Sequence, residues 1–450
     1  MDTIAAISTA LGVGAISIIR VSGEEAIVIV DKLFKGANLL EVASHTINYG
    51  YIIEKGETID EVLVSVMKAP RTFTKEDVVE INCHGGINTT NKVLALVLSN
   101  GARLAEPGEF SKRAFLNGRI DLVEAEGIMD LIGAKTDKMR KLAINQVGGK
   151  VSNLIRDLRD KIRDILVNID VNIDYPEYDD ILVVTKEMLT AGLTDIKDKI
   201  ANILTSSKNS KIIKDGIRTV IIGRPNVGKS SILNSLIEEN KAIVTDIPGT
   251  TRDIVEGEAN IDGILLKVVD TAGIRKTADK IEQLGVIKSM EALKDADLVI
   301  VVLNNNEELT DADNEILNKT SESNRIIFIN KSDLDSKINK KLLASDIVIY
   351  GNTVSLDGLS NLRDKIKEMF NIDQIEKQDF TYLSNARQIG ILSETLKLVD
   401  NAENAISNDT PVDIIAIDIK KIWELLGNII GENYSEELID RLFKQFCLGK

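Results

Sequence analysis

Aromatic, cysteine and histidine residues are scarce in this chain. Aromatic side chains make up 4% of the 450 residues, so we expect cores built mainly from Ile, Leu, Val and Ala. The two cysteines, Cys83 and Cys447, lie far apart in the sequence. They form no disulfide framework and fit a reducing, cytoplasmic location. Because the sequence has only two histidines, a dedicated zinc site is not expected.

Long hydrophobic runs and a basic leader are also missing. Even the longest uninterrupted apolar runs, such as Leu298 to Leu303, are far below the roughly 20 residues that span a membrane. The first stretch of sequence has no Lys or Arg before Arg20, whereas a signal peptide begins with basic residues. We therefore expect neither a membrane span nor a signal peptide.

An overall positive charge is the third absence. The formal net charge is −15, so the field of the whole chain does not favour nucleic acid. Two local basic clusters exist, and solvated helix faces explain both more simply than nucleic-acid binding does. The clusters are Lys150, Arg156, Arg159, Lys161 and Arg163, and Lys208, Lys211, Lys214 and Arg218.

Hydrophobic periodicity divides the chain into regions. Residues 1–118 mix alternating runs such as AISIIRV with one helical pattern, which predicts an α+β domain. Residues 119–212 carry a helical apolar stripe. Residues 213–371 alternate buried-strand runs with helical segments, which is typical of a parallel α/β domain, and residues 372–450 are helical again. We predict a multidomain fold with the α/β domain inserted into one all-α domain. Two separate helical domains are the alternative.

A phosphate-binding loop begins the α/β region. Gly223 to Ser230 read GRPNVGKS, which matches GxxxxGK[ST] between a strand run and a helical run. Its glycines let backbone N–H groups converge on phosphate oxygens. Lys229 would supply a cation to the outer phosphates, and Ser230 would supply a Mg²⁺ ligand. The motif predicts a nucleotide bound with Mg²⁺.

A later motif specifies the base. NKSD, from Asn330 to Asp333, follows the strand run RIIFI. The Asp333 carboxylate can accept both the ring N–H and the exocyclic amine of guanine, a pair of donors that adenine lacks. Asn330 and Lys331 would brace the loop and cover the base, and the backbone around Ser355 can meet the guanine carbonyl. These motifs predict guanine-nucleotide binding.

Two segments between these motifs predict contacts with the last phosphate. Asp270 ends a strand run, and its carboxylate can bind Mg²⁺ indirectly through a coordinated water molecule. The backbone amide of Gly273 can reach the last phosphate. Thr251, in GTTRD, is the expected second magnesium ligand. Many small GTPases place a glutamine after the DTAG segment to orient the attacking water. Here that residue is Ile274, so either the nucleotide is not hydrolysed or another group orients the water.

The flanking segments resemble one protein family. TIAAIST, EPGEF, RAFLNGRIDL and the terminal FCLGK are similar to segments of the MnmE (TrmE) family of tRNA wobble-uridine modification GTPases, and the resemblance covers essentially the whole chain. It implies a homodimer formed through the N-terminal domains, a flavoprotein partner called MnmG, and tRNA as the substrate. The implied reaction adds an aminomethyl or carboxymethylaminomethyl group to carbon 5 of the wobble uridine, with a one-carbon unit from methylene-tetrahydrofolate. A ribosome-assembly-type regulatory GTPase is the alternative, because such proteins share GRPNVGKS and the missing glutamine.

The resemblance also implies a folate site and a thiol beside it. The implied folate-binding positions are Arg20, Glu80, Arg119 and Lys450. Arg119 stands where the family has a lysine, and the two side chains are not interchangeable at tight sites. Cys447 is a candidate reactive thiol, although free cysteines are most often small buried hydrophobes. Cys83 and His84 are neighbours on a strand and point to opposite faces, so we interpret them as structural.

The family also offers a replacement for the missing glutamine. Glu282, in DKIEQLG, is the implied catalytic acid, with Asp279 as the rival. A K⁺ ion is implied near the leaving oxygen, in place of an arginine finger from Arg224, Arg252 or Arg275. Its implied ligands are Asn226, Thr245, Ile247 and Thr250. The full set of expected GTP-contacting residues is Asn226, Val227, Gly228, Lys229, Ser230, Ser231, Thr245, Asp246, Ile247, Pro248, Gly249, Thr250, Thr251, Asp270, Thr271, Ala272, Gly273, Asn330, Lys331, Asp333 and Ser355.

Overall fold

The structure, a computed structural model, divides the chain into two compact units. It describes residues 2–174, 185–238, 257–270, 293–339, 343, 346–355, 357–372, 383–446 and 449. The first unit comprises Met1–Met129, Gln146–Asp198 and Ile391–Lys450, and the second comprises Asp130–Asn145 and Lys199–Gly390. The stretches of the two units therefore alternate along the sequence, and the first unit includes both ends of the chain. The predicted multidomain class is confirmed: an α+β N-terminal region, a helical region and an inserted α/β region.

A seven-stranded sheet lies in the N-terminal region. Its strands are β1 (Ile4–Ile7), β2 (Ile16–Ser22), β3 (Phe34–Lys35), β4 (Thr46–Glu54), β5 (Glu57–Met67), β6 (Val78–His84) and β7 (Arg103–Leu104). Their order is β3-β4-β5-β6-β2-β1-β7, and all neighbours are antiparallel except β1 and β7. One face packs on helices α1 (Ala26–Asp31) and α2 (Ile87–Ser99) through buried aliphatic side chains. The opposite face is partly exposed, as is common for antiparallel sheets.

Helices follow the N-terminal sheet. They are α3 (Glu109–Leu116), α4 (Leu122–Gly133), α5 (Asp137–Val147), α6 (Lys150–Asp174) and α7 (Lys186–Asp215). The predicted apolar stripe forms the buried face of α6, which includes Ile155, Leu158 and Ile162. Its spacing of three or four residues places these side chains on one side of the helix.

A six-stranded sheet forms the centre of the second unit. Its strands are β8 (Ile217–Ile222), β9 (Gly257–Ile261), β10 (Ile264–Asp270), β11 (Leu298–Asn304), β12 (Arg325–Asn330) and β13 (Ile347–Tyr350). The order is β13-β12-β11-β8-β10-β9, with every neighbouring pair parallel except β9 and β10. The buried-strand runs predicted within residues 213–371 are confirmed as β8, β10, β11, β12 and β13. Strand β9 was not predicted, although the Asp262–Gly263 turn that joins it to β10 has positive φ at both residues, as tight hairpin turns require.

Both faces of this sheet are covered, as predicted. Every residue of β11 is buried. Because successive side chains on a strand point to opposite sides, alternate β11 residues join two different apolar clusters. Helices α8 (Lys229–Glu238) and α10 (Leu359–Met369) contribute to one cluster, and α9 (Asp311–Lys319) borders the other.

Three helices lie in the described stretch 383–446: α11 (Ala386–Ser407), α12 (Val412–Ile430) and α13 (Glu436–Phe443). Helix α12 packs along α6 within the first unit. The Arg159 guanidinium of α6 lies 3.8 Å from the centre of the Trp423 ring of α12, a cation–π contact. Among the helices of the described ranges, none is long and apolar enough to cross a membrane.

Candidate functional site

The phosphate-loop motif lies between β8 and α8, at the carboxyl end of a parallel strand. Asn226 and Gly228 have positive φ angles of 63° and 101°, a conformation that Gly adopts freely and Asn tolerates. A Cβ on Gly228 would lie 2.2 Å from Asn330 Nδ2, and one on Gly223 would lie 2.5 Å from the Val302 carbonyl oxygen. Both positions therefore require glycine, because the loop packs tightly against the ends of β11 and β12.

Lys229 and Ser230 begin helix α8. Lys229 Nζ donates to the carbonyl oxygens of Gly223 and Arg224 at 2.8 and 2.9 Å, so the ammonium group lies across the loop. Ser230 is exposed, which leaves its hydroxyl accessible to a metal ion. The positive end of the α8 dipole lies at the same point. Cation, helix terminus and hydroxyl together suit a phosphate group with Mg²⁺.

Arg224, one of the alternatives considered for an arginine finger, forms ion pairs within the protein. Its guanidinium contacts the Asp313 carboxylate at 2.8 Å and the Glu307 carboxylate at 2.8 Å. The Asp313 side chain is only 2% exposed, so this ion pair is largely desolvated on the acid's side. The hydrogen bond from Arg224, followed by one from Asn304, lowers the pKa of Glu307. Arg224 thus fastens the phosphate loop to the segments that follow β11.

Asn330 joins the base-recognition loop to two other segments. Its Nδ2 donates to the Val227 carbonyl oxygen at 2.8 Å and to Thr353 Oγ1 at 3.3 Å. Its Oδ1 accepts from the backbone N–H groups of Lys331 and Thr353 at 2.9 and 3.2 Å. This is the bracing that the NKSD motif predicts for Asn330. Phosphate loop, base loop and the segment containing Ser355 therefore meet at one edge of the sheet.

The side chains expected to face the base are accessible. Asp333 and Ser355 are exposed, and Lys331 is half-buried. Lys331 has a φ of 60°, which turns the chain sharply after β12. Ser355 Oγ hydrogen-bonds to the Asp357 carboxylate at 3.0 Å. An accessible carboxylate above a braced loop matches the expected guanine acceptor.

The switch segments lie outside the described residues. This applies to Thr245, Asp246, Ile247, Pro248, Gly249, Thr250, Thr251, Thr271, Ala272, Gly273 and Glu282, and to the alternatives Arg252, Arg275 and Asp279. Asp270 ends β10, which pairs in parallel with β8. Its backbone therefore lies at the same edge of the sheet as the phosphate loop.

Two of the implied folate positions contact each other in the first unit. Arg20 and Glu80 are register partners on β2 and β6, and Arg20 Nε donates to Glu80 Oε1 at 2.8 Å. Arg20 Nη1 also donates to the Gly449 carbonyl oxygen at 3.3 Å, and its guanidinium lies 5.6 Å from the Phe110 ring centre. The C-terminal tail thus reaches the Arg20–Glu80 pair.

The remaining implied positions of that site are less fully defined. Lys450 and Cys447 lie outside the described residues, although Gly449 between them is described. A Cβ on Gly449 would lie 2.3 Å from the Ile7 carbonyl oxygen, so the tail passes close against β1. Arg119 is exposed.

Cys83 and His84 point to opposite faces of the sheet, as predicted. Cys83 is 2% exposed, and its burial raises the pKa of the thiol, which disfavours the reactive thiolate. His84 is exposed, and its hydrogen bond to the Asp60 carboxylate at 2.7 Å raises the pKa of the imidazole. The pair is no catalytic couple.

Carboxylates neutralise most of the first basic cluster. The pairs are Arg156 with Asp121, Arg159 with Glu432, Lys161 with Asp195, and Arg163 with Asp160. In the second cluster, Lys214 contacts Asp130 at 2.7 Å. These pairs agree with the interpretation of solvated helix faces.

Two family models match this chain, and they cover different parts of it. A model described as the GTP-binding protein TrmE N-terminus matches residues 3–119, and one described as the MnmE helical domain matches residues 122–447. The tRNA modification GTPase MnmE of Bacillus licheniformis is 52% identical, with 100% of both chains covered. That of Ligilactobacillus salivarius is also 52% identical, over 100% of this chain and 98% of its own. Among solved structures, the G domain of the T. maritima FeoB iron transporter is 27% identical over 34% of this chain and 97% of its own, with a TM-score of 0.26. Since the identity to the curated relatives extends over the full length, this chain belongs to the MnmE family of tRNA modification GTPases.

Proposed function

We propose that this member of the family is a cytoplasmic, potassium-activated GTPase that works as a homodimer with the flavoprotein MnmG. The pair adds an aminomethyl or carboxymethylaminomethyl group to carbon 5 of the wobble uridine in tRNA, and the carbon comes from a folate. The net charge of −15 is compatible with a tRNA substrate if the partner supplies much of the binding surface.

The observation that carries the folate proposal is the meeting of Arg20, Glu80 and the C-terminal tail. A folate has a glutamate tail whose carboxylates suit cations and a pterin ring whose N–H donors suit one carboxylate. The side chains of Arg20 and Glu80 are 19% and 22% exposed, so they are held in place and still reachable. The buried Phe110 ring lies beside the Arg20 guanidinium, and Lys450 follows the described Gly449. When bound, the folate supplies the one-carbon unit.

Replacing Glu80 with alanine is expected to weaken binding of 5-formyl-tetrahydrofolate at least tenfold, because a charged hydrogen-bond acceptor is lost. Isothermal titration calorimetry measures this. Glu80→Gln keeps an acceptor for Arg20 and separates loss of charge from loss of the pair. Asn82→Ala, two residues along the same strand and on the same face, is the matched control and should bind normally. If Glu80→Ala binds 5-formyl-tetrahydrofolate as tightly as the native chain does, Glu80 does not contribute to the folate site.

The whole proposal is tested by nucleoside analysis of tRNA from cells that lack this chain. Cells complemented with the native chain should carry modified wobble uridines, and cells complemented with Glu80→Ala should carry fewer. If cells lacking this chain carry the same wobble-uridine modifications as cells with the native chain, the proposed modification activity is wrong.

The exposed face of the N-terminal sheet supports the homodimer. Ile47, Tyr49 and Leu63 are 69%, 57% and 46% exposed. Tyr49 and Leu63 are cross-strand partners on β4 and β5, so the three side chains form one apolar patch. Such a patch favours contact with a second protein surface, and a second copy of the same domain is the occupant that the family implies.

The nucleotide site supports the magnesium and potassium proposals. Ser230 at the start of α8 would hold Mg²⁺, together with Thr251 and, through water, Asp270. Asn226 is exposed in the phosphate loop, where its amide oxygen can serve as a K⁺ ligand with the segment around Thr245. When bound, the two cations offset the negative charge on the phosphates.

Replacing Asp333 with asparagine is expected to lower GTP affinity about 100-fold and to raise XTP affinity, since the double acceptor for guanine is lost. Xanthine carries a carbonyl where guanine has its amine, and the asparagine amide can donate to it. Competition binding with a fluorescent GDP analogue gives both affinities. Asp335→Asn, exposed in the same loop, is the control and should keep the native preference. If Asp333→Asn still prefers GTP as strongly as the native chain does, another group reads the base.

A further inference from the structure

A buried asparagine directly after β11 holds the base-recognition loop. Asn305 is 3% exposed, and it makes three hydrogen bonds to residues 330–337. Its backbone N–H donates to the Asn330 carbonyl oxygen at 2.9 Å, and its carbonyl oxygen accepts from the Lys337 N–H at 2.9 Å. Its side-chain Nδ2 donates to the Leu334 carbonyl oxygen at 2.7 Å.

These contacts bracket Asp333 on both sides. The Leu334 carbonyl belongs to the residue directly after Asp333, and Asn330 ends the strand before it. The stretch from Ser332 to Lys337 is exposed, so apolar packing does little to fix its conformation. A turn bond from the Leu334 N–H to the Lys331 carbonyl oxygen closes the loop locally. Attachment of the loop to the sheet at Leu334 runs through the Asn305 side chain.

We infer that Asn305 is a positioning residue for recognition of the base: it sets the orientation of Asp333 through the Leu334 carbonyl. This inference rests on the proposed reading of guanine by Asp333. A carboxylate that accepts two hydrogen bonds at once depends on its orientation, because both bonds weaken when it tilts. Removal of the Asn305 amide should therefore reduce selectivity for the exocyclic amine as well as affinity.

The test compares GDP with IDP, whose base lacks the exocyclic amine. Asn305→Asp is nearly isosteric but sets a carboxylate oxygen against the Leu334 carbonyl, while the two backbone hydrogen bonds remain. We expect GDP binding to weaken about tenfold, in keeping with the loss of one buried hydrogen bond. We expect the ratio of the IDP and GDP dissociation constants to fall at least threefold. At saturating GTP, kcat should stay within about twofold of the native value, since the phosphate loop is not altered.

The affinity ratio separates positioning from a merely structural role. A partly unfolded variant loses binding sites for both nucleotides equally, so its ratio does not change. Asn306→Ala is the matched control: it removes the neighbouring amide, whose oxygen has no hydrogen-bond partner in the described chain, and it should keep the native ratio. Asn305→Ala gives a second reading if Asn305→Asp does not fold.

The outcomes are distinguishable from those of the Asp333 experiment. A native ratio in the Asn305 variants, together with a lost guanine preference in Asp333→Asn, would overturn the positioning role alone. An unchanged guanine preference in Asp333→Asn would overturn Asp333 as the base reader and the positioning role with it. A reduced ratio in the Asn305 variants and a native ratio in Asn306→Ala would support the inference.

Discussion

Replacing Arg113 with alanine should lower the free energy of unfolding of the N-terminal region by about 3–5 kcal/mol, the range found when a buried ion pair loses one partner. The Arg113 side chain is 4% exposed. It donates to the Asp2 carbonyl oxygen at 2.7 Å and to the Asp2 carboxylate at 2.8 Å. It also contacts the carboxylates of Glu76 and Glu109, both at 3.1 Å. Without the guanidinium, the largely buried carboxylate of Glu76 loses this cation, and Glu109 retains only its ion pair with Arg103.

Hydrogen exchange of peptides within residues 3–119 during a urea titration isolates this region from the rest of the chain. Arg71→Ala, at an exposed arginine of the same region, is the control and should change stability by less than about 0.5 kcal/mol. A similarly small effect for Arg113→Ala would contradict the assigned role of the network.

The pH dependence of the same network provides an independent measurement. Burial acts to raise the pKa of Glu109, but hydrogen bonds from Arg103, the Glu106 N–H and Arg113 outweigh it and hold the pKa below its ordinary value of 4.5. A carboxyl with a lowered folded pKa stabilises the fold above its unfolded pKa, and this contribution is lost as the pH falls through the folded pKa. Stability of the native region should therefore fall below about pH 4.5, and less steeply in Arg113→Ala.

The second large effect is expected in GTP hydrolysis. Glu282→Ala should lower kcat about 100-fold or more, as loss of a group that orients the reacting water does. GTP affinity should stay within about threefold, because the acid acts on the transition state and not on the bound ground state. Single-turnover hydrolysis and equilibrium binding separate the two quantities. Asp279→Ala, in the same segment, is the matched control and should hydrolyse GTP normally.

Hydrolysis by the native chain should be at least tenfold faster in K⁺ than in Na⁺ at equal ionic strength. The two salts screen charge equally, so the difference reports a site with a preferred ion size. Asn226 has a φ of 63°, and alanine would add backbone strain there. Asn226→Gly is therefore the better variant, since glycine accepts this conformation and removes only the ligand. It should lose the potassium response. Equal rates of the native chain in the two salts, or an active Glu282→Ala enzyme, would leave the replacement for the missing glutamine unidentified.

The sequence by itself determined the features that depend on neighbouring residues. The helix α6 follows from apolar side chains every three or four positions, and the strands of the second sheet follow from short buried runs. The phosphate loop and NKSD could be recognised because each motif acts within a few consecutive residues. Cys83 and His84 could be assigned to opposite faces because the strand repeat is two. Strand β9 was missed, although its Asp262–Gly263 turn is a known hairpin signal.

Only the tertiary structure decided which distant side chains meet. Arg113 and Asp2 are 111 positions apart, and Arg20 and Gly449 are 429 positions apart. Neither separation leaves a periodic signal in the sequence. Arg224 was a candidate for the catalytic charge until the fold placed it against Asp313 and Glu307. Asn305 resembles any polar residue at a strand end, and its role depends on the loop that another strand brings to it. Ion pairs and hydrogen bonds require positions within about 3 Å, and pairing of the strands and helices fixes those positions.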